Sequence, residues 1–238
     1  MNTLSQLHFF YYRKISPGFK IDKDALVVDI GSGEKPFWRA DVFVDKLSLG
    51  NVQRASKFNT IHDIGIFVDS DAKKMPFRDN AFDFSFASHL LEHVHDPGGV
   101  IAEIERISKS GYIEVPNGII ETIKPFDSHL WFVFVDKNKL IFVRKSKKLH
   151  NALLANGKNY KNLIDKVDNP FIRLYWKKRI DYEIIDDLKK EDRFESAVGD
   201  SKNSARSSYN WHILIVKILR ALFYKSKATD RLQKALSK

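Results

Sequence analysis

The chain has 238 residues, and its 43% hydrophobic and 29% charged content is typical of a globular protein with one α/β domain and an appendage. It contains no cysteine, which excludes disulfides, a catalytic thiolate and cysteine-ligated zinc or iron–sulfur centres. The N-terminus lacks the unbroken apolar run of a signal peptide, and no segment reaches the roughly 18 apolar residues of a membrane-spanning helix. These features predict a cytoplasmic protein.

The net charge of +10 is unevenly distributed. Through residue 145 the basic and acidic residues are equal in number, so the whole excess lies in residues 146–238. This asymmetry predicts a catalytic core, residues 1–145, followed by a basic, mainly helical extension that meets a nucleic acid, a lipid surface or an acidic glycan. Alternatively, the lysines only keep a helical tail soluble.

The order of the predicted elements is typical of an α/β protein. Residues 1–24 are rich in aromatic side chains and are predicted to form a helical lid. Short β-branched runs then alternate with helical segments, which indicates a parallel sheet with crossover helices. The first five predicted strands are 25–30, 42–44, 64–68, 82–87 and 112–115. A helix begins at Pro97, where four apolar residues up to Ile107 share one face.

Two further apolar runs, 130–135 and 140–143, flank a polar turn and predict a hairpin. With them the sheet would have seven strands. The sequence thus predicts a Rossmann-like, doubly wound, mostly parallel sheet with an antiparallel last strand, complete near residue 145.

A last helix is predicted over about residues 209–225. One stripe contains Trp211, Leu214, Ile215, Ile218 and Leu222, while Lys217 and Arg220 lie elsewhere. The stripe predicts docking on the core or on a second subunit. The alternative is a helix that lies on an anionic membrane surface.

The first strand ends in a glycine-rich turn, Asp29-Ile30-Gly31-Ser32-Gly33. Such a turn at the carboxyl end of a strand brings backbone close to a ligand in open α/β folds. The turn does not fit the dinucleotide fingerprint, because Pro36 stands at the third glycine position. Glu34 also disfavours a pyrophosphate there by charge repulsion.

A second acidic residue, Asp45, follows the second predicted strand. A carboxylate at this place can accept hydrogen bonds from both ribose hydroxyls of a nucleoside. NAD enzymes share this arrangement, so Asp45 by itself does not choose the cofactor.

Two later segments indicate which cofactor is bound. They read DAKKMPFRDNAFD from Asp71 and SHLLEHV from Ser88. Together with the turn they resemble the type 11 methyltransferase-domain family of class I S-adenosylmethionine-dependent enzymes, with Met75 at a position where leucine is usual. The resemblance implies a methyltransferase that uses S-adenosylmethionine.

The resemblance also implies roles for individual residues. Asp29 and the turn residues Gly31, Ser32 and Gly33 would shape the pocket for the methionine part. Asp45 would hold the ribose. Asp71 would meet the adenine amino group, with Asp69 as a rival, and Ser88 would lie beside the sulfonium. The segment Glu34-Lys35-Pro36 departs from the usual small residues after the turn.

Three histidines, His89, His93 and His95, invite a metal hypothesis together with Glu92 and Asp96. His93 and His95 would point to different sides of an extended turn, and the family turn needs no metal. The sequence therefore predicts no metal site.

Two histidines are candidate general bases. His89 follows Ser88 at the mouth of the predicted cleft, and His129 lies in the connection after the fifth strand. A neutral imidazole at either place can take a proton from a hydroxyl as the methyl group transfers.

The acceptor hypothesis is a hydroxyl of a saccharide or a lipid-linked glycan. The segment His129-Leu130-Trp131 loosely resembles relatives associated with cell-surface glycan gene neighbourhoods, and the basic extension would hold the substrate or its membrane. RNA or protein is the alternative acceptor, although no recognised RNA-binding motif is found. A non-enzymatic scaffold is the third hypothesis, disfavoured because the acidic and glycine positions occur together.

Overall fold

The computed structural model describes residues 20–33, 36–46, 64–156, 170–195 and 211–223. Nearly all of the predicted N-terminal lid, residues 1–24, therefore lies outside the described residues, as do Glu34 and Lys35. Nine strands are described: β1 Val27–Ile30, β2 Val42–Asp45, β3 Ile66–Asp69, β4 Phe84–Ser88, β5 Ser110–Pro116, β6 Trp131–Asp136, β7 Lys139–Arg144, β8 Phe171–Lys177 and β9 Tyr182–Ile185. The α-helices are α1 Pro97–Ile107, α2 Gly118–Ile123, α3 Lys147–Asn156 and α4 Trp211–Phe223, and a 3-10 helix spans Lys190–Asp192.

The central sheet has the order β3-β2-β1-β4-β5-β8. The first five strands pair in parallel, and β8 pairs antiparallel to β5. All four residues of β1 are buried, as expected for a strand covered on both faces. The predicted α/β, Rossmann-like, mostly parallel sheet is confirmed.

The prediction that a sixth and a seventh strand from residues 130–143 complete this sheet is wrong. Segments β6 and β7 form the predicted hairpin, but they join β9 in a separate three-stranded sheet. The edge beside β5 is taken by β8, which lies in the segment expected to be helical. Its alternating burial places Ile172, Leu174 and Trp176 in the core. Six central strands are thus described, and one of them, β8, comes from residues beyond 145.

Two apolar layers cover the central sheet, because successive side chains of a strand point to opposite faces. One layer packs Val28 and Ile30 against the buried stripe of α1. The other contains Val27 and an aromatic stack in which the rings of Phe37 and Phe86 lie 4.4 Å apart.

Helix α4 contacts this second layer. Val216 is only 1% exposed, and the Arg220 guanidinium donates to the carbonyl oxygens of Trp38 (2.9 Å) and Ala40 (2.5 Å). Ile218 and Leu222, two residues of the predicted stripe, are 49% and 69% exposed. Contact with the core thus uses Val216 and Arg220, which lie outside that stripe, whereas contact of the stripe with a second subunit or a membrane stays a prediction.

Across the described ranges, no helix combines the length and the hydropathy that crossing a bilayer requires.

The start of α1 is fixed by a cap. Pro97 occupies its first turn, where a missing N–H costs nothing. Asp96 accepts a hydrogen bond from the Gly99 N–H at 2.8 Å. Its carboxylate also forms an ion pair with Lys73 Nζ at 2.7 Å. The hydrogen bond from Lys73, followed by that from Gly99, holds the pKa of Asp96 below its ordinary value.

We expect Asp96→Ala to lower the free energy of unfolding by about 1 kcal/mol at pH 7, because the cap is lost. Asp96→Asn should lose less, since asparagine also caps helices. The folded-state pKa is lowered, so the carboxylate's contribution is complete above its unfolded pKa of about 3.9 and disappears as pH falls through the folded value. Urea denaturation of the three proteins between pH 7 and pH 3 measures this. If the loss of unfolding free energy in Asp96→Ala stays constant over that pH range, the proposed role of the ionised Asp96 is contradicted.

Candidate functional site

Strands β1 to β4 run parallel, so their carboxyl ends lie at one edge of the central sheet, here called the carboxyl edge. The predicted site residues follow these ends in spatial order. Asp69 ends β3 and Asp71 follows it, Asp45 ends β2, the glycine turn follows β1, and Ser88 ends β4. Open α/β sheets bind ligands at this edge.

The turn after β1 needs glycine at two positions. Gly31 and Gly33 have φ values of 71° and 50°, in the left-handed region that other L-residues rarely adopt. The Gly31 N–H donates to the carbonyl oxygen of Val44 at 2.8 Å, and Ser32 between the glycines is buried. The turn is therefore held against the end of β2.

Two buried aspartates hold the loop backbone. Asp29 accepts a hydrogen bond from the Phe37 N–H at 2.7 Å, which makes it a support for the segment after the turn. Asp45 accepts one from the Gly33 N–H and one from the Lys46 N–H, both at 2.7 Å. Each carboxylate oxygen of Asp45 has a second lone pair, so it retains the capacity to accept a ligand hydroxyl.

Asp71 lies one strand further along the carboxyl edge. It accepts a hydrogen bond from the Lys73 N–H and forms an ion pair with Lys46 Nζ, both at 2.9 Å. These two contacts, the backbone one first, hold its pKa below the ordinary value, so Asp71 is ionised at neutral pH. Asp69 stands opposite Asp45 in the strand register. Both acids reach solvent, and both remain candidates for the adenine contact.

Ser88 donates a hydrogen bond to Glu114 Oε1 at 3.1 Å. Glu114 lies in β5, is fully buried, and also accepts from the Tyr112 hydroxyl (3.0 Å) and from Arg173 Nε (3.1 Å). This glutamate and its arginine were not predicted from the sequence. The available signal was a charged residue inside an otherwise apolar strand, which must find a donor when buried.

The predicted histidines separate into two groups. His89, with φ of 56°, places Nδ1 at 2.9 Å from Glu92 Oε1. His93 packs edge-on against His129, with ring centroids 4.7 Å apart. His95 instead lies in solvent and meets Glu195 at 3.6 Å. The structure therefore brings His89, His93 and His129 together around Glu92, and leaves His95 outside.

His129 belongs to a buried charge network. Its Nδ1 lies 2.7 Å from Glu121 Oε2, and the other oxygen of Glu121 meets Lys145 Nζ. Burial alone would raise the pKa of Glu121, but the hydrogen bond to His129 and the nearby Lys145 charge bring it below its ordinary value. An ionised Glu121 orients His129 so that Nε2 can take a proton, the arrangement of a carboxylate-supported general base.

The two turn glycines differ in the space around them. A Cβ on Gly31 would lie 3.0 Å from Leu90 Cδ1, whereas the nearest atom to a Cβ on Gly33 is 3.9 Å away. Both substitutions to alanine should cost on the order of 1 kcal/mol for the left-handed backbone. We expect Gly31→Ala to cost more, because Leu90 must also move. Chemical denaturation measures the two losses, and an equal or larger loss for Gly33→Ala would contradict this geometry.

Comparisons with solved structures find distant similarity. A methyltransferase complex with its activator from Haloferax volcanii is 19% identical, with 48% of this chain and 55% of that chain covered and a TM-score of 0.36. The chain thus spans about half the length of that protein. A methyltransferase of Thermotoga maritima is 15% identical (69% and 67% covered, TM-score 0.35), and one of Mesorhizobium loti is 14% identical (70% and 96% covered, TM-score 0.43). No curated protein matches the chain.

Residues 29–113 match a family described as "Methyltransferase domain". The match begins at Asp29, at the start of the glycine turn, and includes Asp45, Asp71 and Ser88 before it ends in β5. With this succession of motifs on a parallel sheet, residues 29–113 belong to the class I S-adenosylmethionine-dependent methyltransferases.

Proposed function

We propose that the whole chain is an enzyme that transfers a methyl group from S-adenosylmethionine to a hydroxyl of a saccharide or a lipid-linked glycan. The observation that carries the cofactor part is the order of groups along the carboxyl edge. From β3 to β4 it presents an acid, a second acid, a glycine turn and a serine. This order fits the adenine, the ribose, the methionine part and the sulfonium of one extended cofactor molecule.

Each group suits its part of the cofactor. Asp71, or Asp69 beside it, accepts from the adenine amino group, and Asp45 accepts from the ribose hydroxyls. The backbone of Gly31, Ser32 and Gly33 borders the methionine part. Because the cofactor carries a sulfonium and an ammonium but no phosphate, an edge with several carboxylates favours it over a pyrophosphate ligand.

Asp29 and Ser88 act at the centre of the edge. Asp29 acts on the cofactor through the loop, since its carboxylate holds the Phe37 N–H. Ser88 would border the sulfonium of a bound cofactor, and its hydrogen bond to Glu114 orients its hydroxyl.

The hydroxyl acceptor is supported by the pairing of His129 with Glu121. Amines and thiols can be methylated with positioning alone, whereas a hydroxyl benefits from a base. In the proposed step the acceptor oxygen attacks the methyl carbon in line, and the carbon–sulfur bond breaks to release S-adenosylhomocysteine. The hydroxyl proton passes to His129 Nε2. His89, next to Ser88, is the second candidate for this proton.

The saccharide or glycan class is supported by two sequence features. One is the loose resemblance around His129-Leu130-Trp131, and the other is the basic excess of residues 146–238. We propose a cytoplasmic, membrane-peripheral enzyme whose basic segment holds the acceptor or its anionic membrane. Within α4, Lys217 is exposed, whereas Arg220 donates to backbone carbonyl groups of the core.

Calorimetry with S-adenosylmethionine and with NAD tests the cofactor part. We expect binding of S-adenosylmethionine alone, and at least a tenfold loss of affinity in Asp45→Ala, because an acceptor for two ribose hydroxyls is removed (about 1.4 kcal/mol per tenfold). Asp136→Ala, in the exposed turn of the β6–β7 hairpin, is the matched control and should bind as the wild type does. Undiminished binding by Asp45→Ala would overturn the assignment.

Incubation with methyl-labelled cofactor and fractionated lipid, glycan and RNA extracts tests the acceptor part. We expect label in the glycan or glycolipid fraction for the wild type, and none for Asp45→Ala at the same cofactor concentration. Label in RNA alone, or on protein alone, would replace the proposed acceptor by that class. Cofactor binding without label in any fraction would favour a scaffold role.

A further inference from the structure

Glu92, His93 and His129 form a cluster whose side chains each offer one ligand atom, all within 4.8 Å of one another. The side chain of Glu92 is fully buried, and those of His93 and His129 are 30% and 8% exposed. His93 Nε2 lies 3.8 Å from Glu92 Oε1. The cluster therefore lies under the surface and opens outward on the side of His93.

Both imidazoles are oriented by contacts to the opposite ring nitrogen. His93 Nδ1 lies 2.8 Å from the carbonyl oxygen of Ser128, and His129 Nδ1 lies 2.7 Å from Glu121 Oε2. A proton on each Nδ1 satisfies these acceptors and leaves the lone pair of each Nε2 for another partner. Histidines that bind metal ions almost always have such a carbonyl or carboxylate partner on the other nitrogen.

The backbone around the cluster is also fixed. The Leu130 N–H donates to the carbonyl oxygen of Glu92 at 2.8 Å, and Trp131 Nε1 donates to that of Val94 at 2.8 Å. These bonds join the turn after β4 to the start of β6. The three side chains are therefore presented by two segments held against each other, which lowers the cost of ordering them around an ion.

The buried charges also favour a cation here. Of three fully buried glutamates at this end of the sheet, Glu114 meets Arg173 and Glu121 meets Lys145. Glu92 lies beside the imidazoles of His89 and His93, and the Lys145 charge also acts on it. A divalent ion between Glu92 and two neutral imidazoles would add positive charge beside these buried carboxylates.

We propose that Glu92, His93 and His129 bind one Zn²⁺ ion through a carboxylate oxygen and two Nε2 atoms. Two imidazoles with one carboxylate suit zinc, and three protein ligands leave the fourth position open. Ligand atoms of a tetrahedral zinc site are separated by about 3.3 Å, so the side chains close around the ion by on the order of 1 Å. The open position can hold an acceptor oxygen, and with Zn²⁺ on His129 Nε2 the hydroxyl proton passes to His89, the second candidate base. That role rests on the proposed function, whereas zinc binding itself does not.

Zinc binding is tested on the metal-free full chain without S-adenosylmethionine. We expect calorimetry to give one Zn²⁺ per chain, and Co²⁺ in its place to give the visible absorption of a four- or five-coordinate ion. His93→Ala and His129→Ala should weaken Zn²⁺ binding by at least about 100-fold, more than the loss of an orienting partner costs. His95→Ala, an exposed histidine in the same stretch, is the matched control and should bind as the wild type does.

If His129→Ala fails to fold, His93→Ala alone tests zinc binding, because His93 is the more exposed ligand. Circular dichroism shows whether the His93→Ala protein is folded. Absence of stoichiometric Zn²⁺ binding by the wild type would overturn the proposal. So would unchanged affinity in folded His93→Ala, or a loss in His95→Ala equal to that in His93→Ala. Loss of zinc binding with retained S-adenosylmethionine binding separates this proposal from the cofactor assignment.

Discussion

The candidate site depends on the parallel pairing of β1 with both of its neighbours. Ile30 stands opposite Val44 of β2 and Ala87 of β4, so all three strands end at the same level. Because parallel strands place their carboxyl ends at one edge, the glycine turn, Asp45 and Ser88 are adjacent there. A one-residue change of register would exchange the side chains between the two covered faces of the sheet and separate these groups.

A second constraint is the pairing of buried charges beside this edge. Glu114, Glu121 and Lys145 are all fully buried, and removing one partner of such a pair typically costs about 3–5 kcal/mol. Their contacts tie β5 to β8 through Arg173 and tie α2 to the end of β7 through Lys145. The network that supports the fold thus also orients His129, so stability and chemistry share the same residues in this part of the molecule.

The sequence analysis was most successful where local patterns determine structure. Helix α1 begins at Pro97 because Asp96 caps it, and both signals are local. The hairpin of β6 and β7 was also predicted, but its sheet was not, because an alternating pattern does not specify its partner. Apolar and polar residues alternate equally clearly in segment 171–177. Its place beside β5 nevertheless depends on which edge of the central sheet is left without a partner strand. The contact of α4 with the core was not predicted, because Arg220 docks by donating hydrogen bonds to backbone carbonyl groups of a segment far away in the sequence.

The order of the first five strands, the glycine turn with Asp29, and the acids Asp45 and Asp71 near the ends of later strands could be predicted from the sequence alone. These features lie within short segments whose chemistry is readable along the chain. Only the tertiary structure decided which distant side chains meet. Glu92 and His93 reach His129 because a hydrogen-bonded contact joins the turn after β4 to the start of β6. Such contacts arise from packing between segments far apart in sequence, which periodicity and spacing do not encode.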